Sequence, residues 1–210
     1  MTKKQRVQAA IDALKILYPE AICSLTYADP YQLLVATRLS AQCTDARVNM
    51  VTPALFSRFP DAKSASVATP EEVEPYIRSC GLYKTKARDI VALSKMLCEE
   101  FDGKVPDTIE ALTRLPGVGR KTANLVCGDI YGKPAVVTDT HCIRITGRLG
   151  FVDTKEPYKV EMALRKLLPL EESNAFCHRL VLFGRDICTA RSPRCDICPL
   201  VTFCPTAKAK

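Results

Sequence analysis

The chain has 210 residues, a formal net charge of +7 at pH 7, and 47% hydrophobic residues. This length can bury a core as one domain or as two small ones. No apolar run approaches the roughly 20 residues of a membrane span, so a membrane protein is not expected. The positive charge suits a polyanionic partner, although many proteins with other roles are equally basic.

Nearly every segment of the chain carries a helical pattern. An apolar stripe at helical spacing is formed by Val7, Ala10, Ile11 and Leu14. Asp29-Pro30 predicts a helix start, as does the capping box Thr69-Pro70-Glu71-Glu72, before a segment that Gly81 ends. Further helices are predicted over residues 87–101, 140–149, 156–168 and 172–187. Only residues 135–137 could form a strand, and they are too few to pair far, so the predicted fold is all-α.

A glycine-containing turn lies between two predicted helices in the middle of the chain. Asp107-Thr108-Ile109-Glu110 predicts a capping box for a short helix that runs to about Arg114. Pro116, Gly117 and Gly119 end that helix, and a second one is predicted from Arg120 to Tyr131, stopped by Gly132. The pattern predicts a helix-hairpin-helix at about residues 108–132, whose turn offers backbone N–H groups to a phosphate.

Two other interpretations of this turn are a plain tight connection and a nucleotide-binding P-loop. A P-loop requires Gly-Lys-Ser/Thr in direct succession after a strand. Arg120 separates Gly119 from Lys121, and the preceding segment is helical, which excludes the P-loop.

Four of the eleven cysteines lie close together near the C-terminus. Cys188, Cys195, Cys198 and Cys204 have the spacing Cys-x6-Cys-x2-Cys-x5-Cys. Four thiolates from one loop can hold zinc or an iron–sulfur cluster, and the spacing alone leaves both open. The other cysteines are scattered singly through apolar segments, and no secretory leader is recognised. A cytoplasmic protein without disulfides is therefore expected.

Together, the hairpin and the cysteine loop resemble the endonuclease III family, the bifunctional DNA glycosylases and abasic-site lyases of base-excision repair. The resemblance extends over nearly the whole chain. It includes Leu39-Ser40-Ala41-Gln42, Gly81-Leu82-Tyr83, residues 115–124 and Asp139-Thr140-His141. The cysteine spacing matches the [4Fe–4S] loop of that family. By resemblance, the partner is double-stranded DNA with damaged pyrimidines or abasic sites, and the protein is a monomer.

The resemblance also implies a domain organisation. Residues 23–133 would form a six-helix domain that contains the hairpin. Residues 1–22 together with 134–210 would form an iron–sulfur domain with the cluster loop at 188–204, and DNA would bind in a cleft between the two.

Roles for individual residues follow from the same resemblance. Lys121 would attack C1′ of the damaged nucleotide, and Asp139 would stabilise positive charge at the sugar. Gln42 and Leu82 would fill the gap left by the extruded nucleotide. The remaining DNA contacts would come from Gly117, Val118, Gly119, Arg120, Arg191 and Arg194. The four loop cysteines would hold the cluster.

Each role has a simpler alternative. Lys121 could only grip a phosphate, Asp139 could cap the helix that starts near Thr140, and Leu82 could be ordinary packing. The arginines near the cysteines could merely balance a negative cluster.

Three other classes of protein share part of this pattern. The adenine-mismatch glycosylases share the hairpin and the cysteine spacing but lack the lysine and carry a further C-terminal domain. Glycosylases of oxidised purines keep the lysine and usually lack the cysteine loop. A non-catalytic DNA-binding module would be expected to lack Lys121 or Asp139, and both are present.

Overall fold

The computed structural model describes residues 1–207, which form eleven α-helices and three short 3₁₀ segments. The α-helices are α1 (Lys3–Leu17), α2 (Pro30–Leu39), α3 (Asp45–Arg58), α4 (Ala62–Ser66), α5 (Pro70–Ile77), α6 (Tyr83–Glu100), α7 (Ile109–Leu112), α8 (Arg120–Asp129), α9 (Thr140–Arg148), α10 (Pro157–Leu167) and α11 (Ser173–Asp186). No strand occurs among residues 1–207, so the predicted all-α fold is confirmed. Within this range, no helix has the length and apolar character needed to span a bilayer.

The chain divides into two compact units. The first consists of Met1–Ile22 and the chain from Lys133 onwards, and the second is Cys23–Gly132. The second unit holds seven α-helices, α2 to α8, where the family resemblance implies six. Two of them, α4 and α7, have only five and four residues.

The first unit is built around α1, α9 and α11. The predicted apolar stripe of α1 is fully buried, as are Ile145 of α9 and Phe176 of α11. Tyr18, which ends α1, donates from its hydroxyl to Asp186 at 3.0 Å, and its carbonyl accepts from Arg179 Nε at 3.2 Å. These bonds hold the middle and the C-terminal end of α11 against the end of α1.

Buried residues of α2 and α6 form part of the core of the second unit. Nearly all of α2 is buried, including Leu33, Leu34 and Leu39, and it faces buried residues of α6 such as Leu93. The buried hydroxyls of Tyr31 and Ser94 share a hydrogen bond of 3.0 Å between these helices.

Helix starts follow the capping signals, with one correction. Asp29 caps α2 through a 2.9 Å bond from the Gln32 N–H to its carboxylate, and Thr69 is the N-cap of α5. The hairpin's first helix, however, is capped by Thr108 and not by Asp107, because the Thr108 hydroxyl accepts from the Ala111 N–H at 3.2 Å. Both residue types cap well, so the sequence did not distinguish adjacent candidates.

Candidate functional site

Gly117 lies at the tip of the predicted hairpin, between α7 and α8, with a positive φ of 73°. A Cβ at this position would stand 2.7 Å from both Arg38 Nε and Asp89 Oδ2. Arg38 and Asp89 form an ion pair, with Nε 2.7 Å from Oδ2. Glycine is therefore required at position 117 for two reasons: its positive φ, and its close approach to this ion pair.

The next residues define the start of α8. Gly119 is the N-cap and has no side chain to bond the first N–H groups of the helix. A Cβ on Gly119 would meet open space, so this helix end is accessible to an anion. Val118 is buried, and its N–H donates to Leu115 O at 3.1 Å. The expected DNA contact of Val118 stays a prediction. Arg120, the first residue of α8, is half-buried.

Lys121 is the second residue of α8, and it is exposed. A bound partner can therefore reach this side chain directly from solvent.

Gln42 and Leu82 share an unusual backbone conformation. Their φ values are 54° and 47°, and among residues 1–207 only Asp102 is another non-glycine residue with positive φ. Both side chains are exposed, and Leu82 retains 57% of its surface. For a leucine such a conformation costs about 1–2 kcal/mol and persists only where the surroundings impose it. Exposure excludes the ordinary-packing interpretation of Leu82.

Asp139 is the N-cap of α9. Its Oδ1 accepts from the Cys142 N–H at 2.7 Å. The structural role considered for Asp139, capping of this helix, is therefore present. The cap uses Oδ1 and does not engage Oδ2. His141, two residues after Asp139, contacts α11 closely. A Cβ on Gly184 of α11 would collide with its ring, so a glycine is needed where α11 approaches α9. His178, also on α11, is buried.

The four loop cysteines line a single cavity of about 170 Å³ in the first unit, together with apolar side chains such as Leu149 and Phe183. Burial raises the pKa of the Cys198 thiol, and the neighbouring thiols raise it further. Four thiolates here would therefore need a positively charged core among them.

A cavity lined by four thiols fits a metal group that is held by thiolates. Both zinc and an iron–sulfur cluster are groups of this kind, so the cavity, like the spacing, leaves the choice between them open.

Arg148 of α9 holds the start of the cysteine loop, a role that the sequence analysis missed. Its guanidinium donates to Cys188 Sγ at 3.2 Å, to Thr189 O at 2.7 Å and to Ala190 O at 2.8 Å. Arg144, one helical turn earlier, donates to Cys188 O at 3.0 Å. The available signal was the i, i+4 spacing of two arginines on the helix that Asp139 caps.

Arg191 and Arg194 are exposed on the same loop. Both also line the cysteine cavity. Arg194 pairs with Asp186 across 3.6 Å, and both of these side chains are more than half exposed. Such a pair is worth little in water, so Arg194 remains available to an external phosphate.

Two families match parts of the chain. Residues 35–170 match the HhH-GPD superfamily of base excision DNA repair proteins, and residues 188–204 match the iron–sulfur binding domain of endonuclease III. The second match assigns the cysteine loop to a [4Fe–4S] cluster.

Individual relatives agree with these matches. Endonuclease III of Synechocystis sp. is 47% identical over 99% of this chain and 95% of its own length. Endonuclease III of Bacillus subtilis is 42% identical over 97% of this chain and 94% of its own length. A solved structure of a trapped endonuclease III–DNA covalent intermediate, described as an estranged-adenine complex, superposes with a TM-score of 0.93. It is 43% identical and covers 99% of this chain and 98% of its own. The chain therefore belongs to the endonuclease III family, the DNA glycosylases and abasic-site lyases of base-excision repair.

Proposed function

We propose that this protein removes oxidised pyrimidines from duplex DNA and cuts the abasic strand by β-elimination through a Schiff base on Lys121. The observation that carries the proposal is the position of Lys121. Its amine is exposed in the first turn of α8, directly after a hairpin whose glycine N-cap leaves the helix end open to a phosphate. A phosphate held there would bring the sugar of a neighbouring nucleotide to the amine.

The damaged nucleotide must leave the base stack before the amine can reach it. The exposed Gln42 and Leu82 are suited to enter the space left behind. Gln42 can offer both amide donors and an acceptor to the widowed base, and Leu82 provides an apolar wedge. The relative trapped as a covalent intermediate is described as an estranged-adenine complex, which supports a separated partner base at this stage.

Lys121 must lose its proton to act as a nucleophile. The neutral amine attacks C1′, the C1′–N bond to the base breaks, and the base leaves with a proton. The C1′–O4′ bond of the sugar then breaks, which leaves an iminium between C1′ and the lysine nitrogen and a hydroxyl on C4′ that takes up a proton. Loss of a C2′ proton expels the 3′ phosphate and cuts the strand on the 3′ side of the lesion.

Asp139 has one oxygen engaged in capping α9, through the bond from the Cys142 N–H. We assign to its carboxylate the stabilisation of positive charge that develops on the sugar as the base departs. Capping fixes the orientation of the carboxylate, so the structural and catalytic roles support each other.

Cys188, Cys195, Cys198 and Cys204 are proposed as the four ligands of the [4Fe–4S] cluster. When bound, the cluster would hold the loop in a fixed shape. The exposed Arg191 and Arg194 would then face the phosphate backbone. A monomeric state and a cytoplasmic location remain predictions from the sequence.

The test compares incision of two duplexes, one with thymine glycol and one with 8-oxoguanine. The proposal predicts faster incision of thymine glycol. Preference for 8-oxoguanine would overturn the pyrimidine assignment, and binding of an abasic duplex without any incision would favour a non-catalytic DNA-binding module.

A further inference from the structure

Gln42 and Leu82, two exposed residues with a left-handed backbone, each follow shortly after the end of a helical segment in the second unit. Gln42 lies three residues after Leu39, which ends α2, and Leu82 lies two residues after Cys80, which ends a 3₁₀ segment. Helix ends leave carbonyl groups without helical partners. At these two ends, a single side chain supplies the missing donors.

Lys86 of α6 is that side chain. It is 0% exposed, and its ammonium donates to Leu39 O and to Cys80 O, at 2.8 Å in each case. Its backbone N–H also donates to Leu82 O at 3.0 Å. One residue thus fixes the chain shortly before both exposed side chains. A buried cation is tolerated only with such partners, so its two bonds are strongly held.

Lys86 is unsuited to be the attacking amine, because no part of it reaches the surface. Its geometry serves the two loops instead. A neutral side chain of similar length would leave two buried carbonyls without donors, and the left-handed residues that follow them would relax.

We propose that Lys86 is a positioning residue that sets the placement of Gln42 and Leu82 so that both enter the gap in the duplex together. This inference rests on the proposed function, since it requires an extruded nucleotide. Lys86 acts only through these two side chains and touches no DNA.

The principal variant is Lys86→Met, which keeps the volume of the side chain and removes its donors. The matched control is Ser94→Ala, which removes a buried hydrogen bond on the same helix, to Tyr31, away from both loops. Both variants are assayed at a temperature where circular dichroism shows them folded. If Lys86→Met does not fold, Lys86→Gln, with an amide donor of shorter reach, takes its place.

The first readout is the fluorescence of 2-aminopurine placed opposite an abasic site at saturating protein. The proposal predicts a smaller increase with Lys86→Met than with wild type, and a wild-type increase with Ser94→Ala. Incision of the abasic duplex should fall by about 10- to 100-fold in kcat/KM for Lys86→Met.

The second readout is the same substitution in a Gln42→Ala, Leu82→Ala background. Because Lys86 is proposed to act through these residues, it should then have no further effect on kcat/KM. A full additional loss in that background, or wild-type fluorescence with Lys86→Met, would overturn the proposal. Absence of incision by the wild type would instead refute the proposed function.

Discussion

Arg148 Nη1 lies 3.2 Å from the sulfur of Cys188 and donates a hydrogen bond to it. The same guanidinium donates to the carbonyls of the next two residues, so one side chain of α9 fixes both a proposed cluster ligand and the backbone that follows it. Hydrogen bonds to cluster sulfurs stabilise added negative charge, and they are one means by which a protein raises a cluster's reduction potential.

We therefore expect Arg148→Met to lower the reduction potential of the cluster and to hasten its loss in air. The potential can be measured by voltammetry, and cluster loss by the decay of visible absorbance and by iron content. Arg194→Met is the matched control, since it removes the same charge from the lining of the same cavity, while Arg194 pairs with the exposed Asp186 and not with a cysteine sulfur. Equal behaviour of the two variants would contradict this role for Arg148.

Gly117→Ala should destabilise the hairpin. Alanine at a φ of 73° costs about 1–2 kcal/mol, and its Cβ would displace the Arg38–Asp89 pair. We expect the free energy of unfolding to fall by about 2 kcal/mol or more, together with weaker duplex binding.

Gly119→Ala is the control for this change, because its φ of −89° suits any residue and the added Cβ meets open space. Its free energy of unfolding should fall by only about 1 kcal/mol, because alanine is a poorer N-cap residue than glycine. Urea denaturation measures both variants, and a larger loss for Gly119→Ala would refute the argument.

Asp139 allows the two roles of one carboxylate to be separated. Asparagine caps helices as well as aspartate does, so Asp139→Asn should leave the free energy of unfolding nearly unchanged. Base release from a thymine glycol duplex should nevertheless slow by about 100-fold or more, because the negative charge is lost. Asp139→Ala should also lose the helix cap, and its free energy of unfolding should therefore fall by about 1 kcal/mol. Wild-type base release by Asp139→Asn would leave capping as the sole role.

The arginines of the cysteine loop can be tested by salt dependence. If Arg191 and Arg194 each contact a phosphate, replacement of either by alanine should make the plot of log Kd against log salt shallower by about 0.9, whatever the DNA sequence. Fluorescence anisotropy with a duplex that carries an uncleavable abasic analogue measures this slope. An unchanged slope with a loss of cluster iron would mean that these arginines only balance the cluster's charge.

The elements that the sequence predicted best are those with local causes. The stripe of α1, the Asp29 cap and the Gly117 turn each depend on residues a few positions apart, and the structure contains all three. The resemblance also led to Gln42 and Leu82, but their shared left-handed backbone has no signal in composition.

Contacts between distant segments could not be read from the sequence. Lys86 is 47 residues from Leu39, and Arg148 is 40 residues from Cys188. A lysine in an amphipathic helix is ordinarily assigned to the solvent side, and only the packed structure shows that Lys86 faces inward. The same limit explains why the Arg38–Asp89 pair beneath the hairpin was missed.

The central claim is that Lys121 is the attacking amine, and borohydride trapping tests it most directly. Wild-type protein and Lys121→Gln are each incubated with a thymine glycol duplex in the presence of borohydride, which reduces a Schiff base to a stable adduct. We predict a covalent protein–DNA adduct with wild type and none with Lys121→Gln, while both proteins bind the duplex comparably. A trapped adduct of equal yield with Lys121→Gln, or strand cleavage by that variant at the wild-type rate, would contradict the account.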